Sequence, residues 1–315
     1  MKKALLALLL CFGTSALGQA YPAKPVRVVV PFPAGGITDI LARLLAQRLG
    51  EAWGQTLFVE NRSGAGGNIG VVSVARAPAD GYSVLVTTTS IAVNMTLSAN
   101  PGYDLVKDLV PVINVASSPN MIITAQTGPA TLRELIEKSK ATGLIYGSAG
   151  AGTTPHLTAE YLFKNLAGLN VTHVPYKGAA PAVNAAIAGE VVAVSVAMPT
   201  AVPHIKSGRL RGLAVMSSTR VAALPEVPTV QELGFPGFED YTWVGVFVPT
   251  GTPPGVVAKI NTDINAFLGQ ADSRERLASF GFDPVGGTSE GFAKYINAEV
   301  TKWAKVIRET GAKIE

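Results

Sequence analysis

The residues with the most to offer chemically lie in two glycine-rich loops. Pro31-Phe32-Pro33-Ala34-Gly35-Gly36 and Ser148-Ala149-Gly150-Ala151-Gly152-Thr153-Thr154 each stand between a β-branched run and a segment of helical period. At such a junction the first N–H groups of the helix have no intrahelical partner, and the helix dipole adds positive potential there, so each terminus attracts an anion. The small residues Ala34, Gly35, Gly36, Ala149, Gly150 and Gly152 let a ligand reach those donors. Thr38, Ser148, Thr153 and Thr154 add hydroxyls beside them. Two opposed loops of this kind can hold a carboxylate without an arginine. Hydrogen bonds to a charged group are worth about 1.5–3 kcal/mol each, so four to six of them can exceed the roughly 8 kcal/mol of micromolar binding. The alternative is that the glycines serve only as tight turns.

Asp39 lies in the first turn after Gly35-Gly36. It either caps the loop amides and complements the helix dipole or meets a ligand amine or a water held by the ligand. Arg43, four residues on, is spaced to pair with it. Tyr176 and Lys177, in Val174-Pro175-Tyr176-Lys177-Gly178, form a turn after a strand and are placed to line a cleft, with a solvated Lys177 as the alternative.

Signatures of catalysis are missing at useful spacing. His156, His173 and His204 stand apart, without an H-E-x-x-H motif or pairing at i, i+3 or i+4, so no metal site is expected and each reads as a structural or surface histidine. Gly147-Ser148-Ala149-Gly150 lacks the first glycine of a G-x-S-x-G elbow, yet a secreted hydrolase using Ser148 with His156 or His173 stays open. Gly64-Ala65-Gly66-Gly67-Asn68-Ile69 has isoleucine where a dinucleotide fingerprint needs its third glycine, and no lysine follows either loop as in a P-loop. No cofactor is expected.

The elements that must position these loops alternate as in α/β layers. Val26 to Val30 is a strand, followed by the first loop and a helix with Ile37, Ile40, Leu41, Leu44, Leu45 and Leu49 on one face. Strands follow at Thr56 to Glu60 and at Tyr82 to Thr87, the latter ending in the hydroxyl run Thr87-Thr88-Thr89-Ser90. Val110 to Ala116 and Met121 to Ala125 read as two strands split by Ser117-Ser118-Pro119-Asn120, the first crossing between lobes. Thr131 with Glu134 and Thr229 with Glu232 are capping boxes that predict helix starts. Leu144 to Tyr146 leads into the second loop, and strands at Val171 to Val174, Val191 to Val196 and Leu210 to Met216 complete a second sheet. Val244 to Val248 returns to the first lobe, Thr252-Pro253 opens a helix, and the stripe Phe292, Ile296, Val300, Trp303, Ile307 packs the last helix on that lobe. The expected architecture is an α/β fold of two lobes joined by hinge crossovers, 21–118 plus 243–315 and 119–242, with a ligand cleft between them.

The chain has 315 residues, 48% apolar and 15% charged, with 33 Gly and 21 Pro, which excludes disorder and coiled coil. Met1 to Ala20 carries Lys2 and Lys3, an apolar stretch from Ala4 to Phe12, and Gly18 and Ala20 before Tyr21, the plan of a cleaved secretory signal peptide. Its removal leaves a net charge of 24 − 22 = +2, too weak for a nucleic-acid groove. It also removes Cys11, the single cysteine, and with it any thiol nucleophile.

Several motifs, in order, resemble the Bug/TctC family of periplasmic solute-binding receptors of tripartite tricarboxylate transporters. They are Pro31 to Gly36 with Asp39, Ala42 and Arg43; Glu60-Asn61-Arg62 with Gly64 to Gly70; Tyr146-Gly147-Ser148 through Thr153 with His156-Leu157; His173 to Gly178; Pro228-Thr229-Val230; Pro236 to Glu239; and Trp243 through Pro253. The resemblance covers essentially the whole mature chain. It implies a type II Venus-flytrap fold that closes on a small carboxylated organic acid and delivers it, as a monomer in the periplasm, to TctA/TctB-type permease subunits. A sensory accessory role, presenting the ligand to a membrane kinase, shares the fold. The ligand positions it implies are Phe32, Ala34, Gly35, Gly36, Thr38 and Asp39 on one lobe and Ser148, Ala149, Gly150, Gly152, Thr153 and Thr154 on the other, with Thr89, Ser90 and Tyr176. Ile37 fills the variable position after the glycine pair.

Overall fold

The computed structural model describes residues 21–310; the signal-peptide expectation for residues 1–20 lies outside them. The strands are β1 (Val26–Val30), β2 (Leu57–Asn61), β3 (Ser83–Thr88), β4 (Leu109–Ala125), β5 (Leu144–Ser148), β6 (Val171–Pro175), β7 (Ala193–Ala197), β8 (Leu210–Val215), β9 (Tyr241–Pro249) and β10 (Asp283–Pro284). The helices are α1 (Ile37–Trp53), α2 (Asn68–Ala75), α3 (Ser90–Leu97), α4 (Leu132–Thr142), α5 (Thr154–Glu160), α6 (Ala179–Ala188), α7 (Met198–Lys206), α8 (Pro254–Gly269), α9 (Ala271–Ser279) and α10 (Ser289–Thr310).

One sheet runs β2-β1-β3-β9-β4, and β10 pairs with the outer side of β4. The other runs β4-β7-β5-β6, with β8 also on β4. In each sheet three parallel strands form the outer part, and a long antiparallel strand closes the inner part. Strand, loop and helix therefore repeat in the two halves, and the loops at the carboxyl ends of β1, β3, β5 and β7 point to one crevice. Separate apolar cores support the sheets. One gathers Val28, Leu41, Leu45, Val86, Val246 and Ile264; on the other sheet, clusters form around Met121, Val194 and Ala182 and around Tyr146, Leu162 and Phe163.

The segment Ser117 to Asn120 corrects the expectation of two strands. β4 is continuous over 17 residues, pairing with β9 as far as Pro119 and with β7 and β8 from Asn120 or Met121 onward. Two of the polar residues that read as loop punctuation, Ser118 and Asn120, are fully buried and satisfied. Ser118 Oγ donates to the Gly281 carbonyl at 2.7 Å and Asn120 Nδ2 donates to Asp240 Oδ2 at 2.6 Å.

The two capping boxes diverge. Thr131 accepts from Glu134 N at 3.1 Å and opens α4. Thr229 accepts from Glu232 N at the same distance, but Thr229 bridges to Val215 and residues 230–234 form only turns. There the Glu232 carboxylate binds Arg220 rather than reaching back to the cap, and Gly234 and Pro236 stop propagation. The stripe on α10 divides as well. Phe292, Ile296 and Val300 pack on the first sheet's core, whereas Trp303 and Ile307 meet Val93 and Leu157, so the helix end touches α5 of the second half.

Candidate functional site

A cavity with about 400 Å³ of empty space, its solvent mouth included, lies in the crevice between the sheets. Phe32, Gly36, Ile37, Thr38, Thr88, Ala149, Thr153, Thr154, Pro155, Ala179, Ala197 and Thr242 line it. None of these side chains is charged. Its polar groups are five threonines and the backbone at helix starts. Gly36, Ile37 and Thr38 open α1 and Thr153 to Pro155 open α5, which continues into a wider turn over Tyr161–Leu166. Ala179 opens α6, Ala197 precedes α7, and Thr88 precedes the start of α3. Five helix N-termini thus converge on an uncharged, mostly apolar space, which gives it the potential of an anion site.

Of the positions expected from sequence, Phe32, Gly36, Thr38, Ala149, Thr153 and Thr154 are on the wall. The rest stand beside or behind it. Ala34 and Gly35 are exposed at the tip of the first loop. Gly35 takes φ +82°, and its N–H donates to Asp39 Oδ2 at 2.9 Å. Asp39 also accepts from Arg43 Nε at 2.9 Å and from Asn61 Nδ2 at 2.9 Å, so the buried carboxylate braces the loop. Burial raises its pKa, and the bonds from Arg43, Gly35 and Asn61 outweigh that, leaving it below the usual carboxylate value. Thr89 accepts from Trp243 N at 3.2 Å, and Ser90 Oγ shares a hydrogen bond with Thr88 Oγ1 at 3.0 Å. Both tie α3 to the wall. The Tyr176 hydroxyl donates to Glu190 at 3.3 Å, away from the cavity, while its ring covers Gly147.

Gly150, Gly152 and Ser148 belong to a layer that shapes the second loop. Thr153 Oγ1 donates to the Gly150 carbonyl at 2.8 Å, Gly150 N donates to Ser148 Oγ at 3.2 Å, and Gly152 N donates to His156 Nδ1 at 3.3 Å. Ser148 Oγ lies 2.8 Å from His173 Nε2. His156 and His173, separate in the sequence, stack with centroids 4.0 Å apart, and Tyr146 stacks on His173 at 5.0 Å. Burial lowers both imidazole pKa values, and His156 lowers that of His173 further, to about 3. A base that weak gives little driving force for activating a serine at neutral pH, and the Ser148 side chain is fully buried. The Ser–His contact therefore reads as support for the loop. Among the described residues no three His, Cys, Asp or Glu side chains gather to hold a metal ion.

This pair predicts acid sensitivity. In the unfolded chain the imidazoles titrate near 6.5, and in the folded protein lower, His173 near 3. Above pH 6.5 both states are neutral and nothing is lost. As pH falls from 6.5 toward 3 the unfolded chain takes up a proton that folded His173 refuses, so stability declines by up to about 1.4 kcal/mol per pH unit from that site, and His156 acts in the same direction. Urea midpoints between pH 7 and 4 should show this decline, with a shallower slope in His173→Asn. Parallel slopes in the two proteins would exclude the imidazole as the cause.

Ala179, Ala197, Pro155, Thr88 and Thr242 carry no mark of wall residues in the sequence, and Ile37 reads there as a residue of the helical face at a variable position that alters pocket shape. The alanines have no functional group to betray them; only the Gly178-Ala179 junction, another glycine before a helix, carried a signal.

Comparison with known proteins points in one direction. The profile of the family described as "Tripartite tricarboxylate transporter family receptor" matches residues 41–312. Protein BugT of Bordetella pertussis is 39% identical over 302 residues, covering 94% of this chain and 92% of BugT. The solved structure of R. palustris Rpa4515 with adipate aligns with a TM-score of 0.90 at 38% identity, covering 93% of this chain and all 100% of that one. MatC from Rhodopseudomonas palustris with bound malate aligns with a TM-score of 0.84 at 31% identity, covering 91% and 100%.

Proposed function

The chain belongs to the tripartite tricarboxylate transporter receptor family, and on that premise we propose that it is a periplasmic receptor that closes on a small carboxylated organic anion, releases it unchanged and delivers it to TctA/TctB-type permease subunits. In this reading residues 1–20 are a cleaved signal, and the lobes are 21–118 plus 243–315 and 119–242, hinged where β4 and β9 pass between them. The mature receptor works as a monomer, without a cofactor. No helix among the described residues is long and apolar enough to cross a membrane.

The observation that carries the reading is the convergence of α1, α3, α5, α6 and α7 by their N-termini on a space without a charged side chain. Such a site takes a negative charge through fixed dipoles and hydroxyls, so the ligand's carboxylate needs no counter-ion that must be desolvated with it. Adipate and malate in two solved relatives are both small dicarboxylates, and the apolar parts of Phe32, Ile37, Pro155 and Ala179 suit the carbon chain of such an acid.

A thermal-shift screen of organic acids against residues 21–315 tests this. An acid at one hundred times its Kd adds about 2.7 kcal/mol to the folded state, a rise of several degrees. Stabilisation by sugars or cations with none by any acid would remove the carboxylate assignment. Product formation from the bound acid would remove the receptor in favour of an enzyme.

A further inference from the structure

At the hinge, a chain of hydrogen bonds runs from a buried carboxylate to the cavity wall, and it fixes which way two wall hydroxyls point. It begins at Asp240, just before β9, which is buried beside the Lys302 ammonium and the Glu299 carboxylate. Burial raises its pKa to about 6, so at pH 7.5 it is an ionised group that only accepts. It accepts from the Thr158 hydroxyl and, at 2.6 Å, from Asn120 Nδ2. With its nitrogen held by Asp240, Asn120 turns its oxygen toward Thr242, whose hydroxyl donates to it at 2.8 Å. Thr242 has then spent its single hydrogen. Thr154 Oγ1 lies 2.5 Å from Thr242 Oγ1, so the hydrogen between them comes from Thr154.

Both threonines line the cavity, and the residues are only 1% and 3% exposed. Each has used its hydrogen on the protein and keeps lone-pair capacity for the ligand. We propose that the Thr154–Thr242 pair accepts a hydrogen bond from the ligand, so that the receptor selects carboxylic acids carrying a hydroxyl or amine donor on the carbon chain over their unsubstituted counterparts. This deepens the receptor reading above and rests on it. The cavity then has two faces of opposite polarity: N–H donors at the helix tips take the carboxylate, and the threonine oxygens take the donor. An acid with only C–H at that place leaves buried lone pairs unpaired, and a second carboxylate oxygen placed there meets them with like polarity.

Calorimetric titration at pH 7.5 with matched acids tests the inference: malate and aspartate against succinate, lactate against propionate, 2-hydroxyglutarate against glutarate, and mandelate against phenylacetate. The donor-bearing member should bind about tenfold more tightly in every pair that binds, the scale of one buried hydrogen bond. Thr242→Val should bring the ratio close to one, and Thr242→Ser, which puts the hydroxyl back, should restore it. Thr154→Val gives a second reading should the first variant prove unstable. Unsubstituted acids binding equally well or better would overturn the inference and leave the receptor standing. Binding by no acid in either series would remove both.

Discussion

Replacing Ala179 by aspartate should abolish carboxylate binding and leave the protein folded. Ala179 is the first residue of α6 and lines the cavity with its methyl group. A Cβ on Gly36 would lie 4.0 Å from Ala179 Cβ, so the start of α6 faces the start of α1 across the crevice. A carboxylate at this position complements its own helix dipole, worth about 0.3–1 kcal/mol in favour of the fold. The same carboxylate occupies the field that the ligand needs. Two like charges about 4 Å apart repel by about 4 kcal/mol at the effective dielectric of a partly buried site, roughly a thousandfold in Kd. Ala179→Asn, equal in size and neutral, should retain far more affinity. Calorimetry on the two variants, with thermal midpoints as the folding control, reads the difference. Equal losses in both would assign the effect to bulk and weaken the case for an anion.

A methyl group on Gly178 should keep the lobes apart. Gly178 has φ +131°, and a Cβ there would lie 2.6 Å from Pro33 Cδ and 2.9 Å from Pro33 Cγ. Pro33 belongs to the first glycine loop and Gly178 to the turn before α6, so the clash falls between the two sheets' loops and not within either core. Nearby, a Cβ on Gly35 would lie 3.4 Å from Ala180 Cβ and one on Gly66 3.7 Å from the Ala151 carbonyl, ordinary van der Waals contact between the same two sets of loops. The loops of the two sheets are therefore in contact in the described form, and at Gly178 there is room for a hydrogen but not for a methyl group. An overpacked contact costs about 1–3 kcal/mol; the part that exists only in the closed form weakens binding, up to roughly a hundredfold, while the strain of a side chain at φ +131° falls on both forms. Small-angle scattering should show the parent protein contracting when its acid is added and Gly178→Ala contracting less or not at all. Equal contraction in both would mean that the lobes close by a path that avoids this contact.

The sequence made the local units legible. β1 with its loop and α1, α4 with its capping box, and the stripe on α10 follow from period and end signals within a dozen or so residues. Reading failed where partners lie far apart in the chain. Ser118 and Asn120 resemble loop residues until Gly281 and Asp240 come within bonding distance. His156 and His173 are separate until β6 lies beside β5, registering His173 opposite Tyr146. Thr229 and Glu232 have the spacing of a helix start, but a long-range arginine takes the glutamate. In the cavity the glycine loops announced themselves, because glycine before a helical period is a local pattern. Thr242 and Ala197 did not, since they reach the wall only through the pairing of β9 and β7 with β4.

In the proposed receptor, backbone amides at helix starts, rather than any cationic side chain, hold the ligand's carboxylate. Amide-resolved NMR of the mature protein, titrated with the strongest acid from the screen, reads those amides one by one. The Ile37, Thr38, Thr154 and Ala179 amide resonances should shift saturably and track calorimetric occupancy, with surface lysine and arginine resonances unmoved. Saturable shifts at surface Lys or Arg side chains, with those four amides silent, would contradict it.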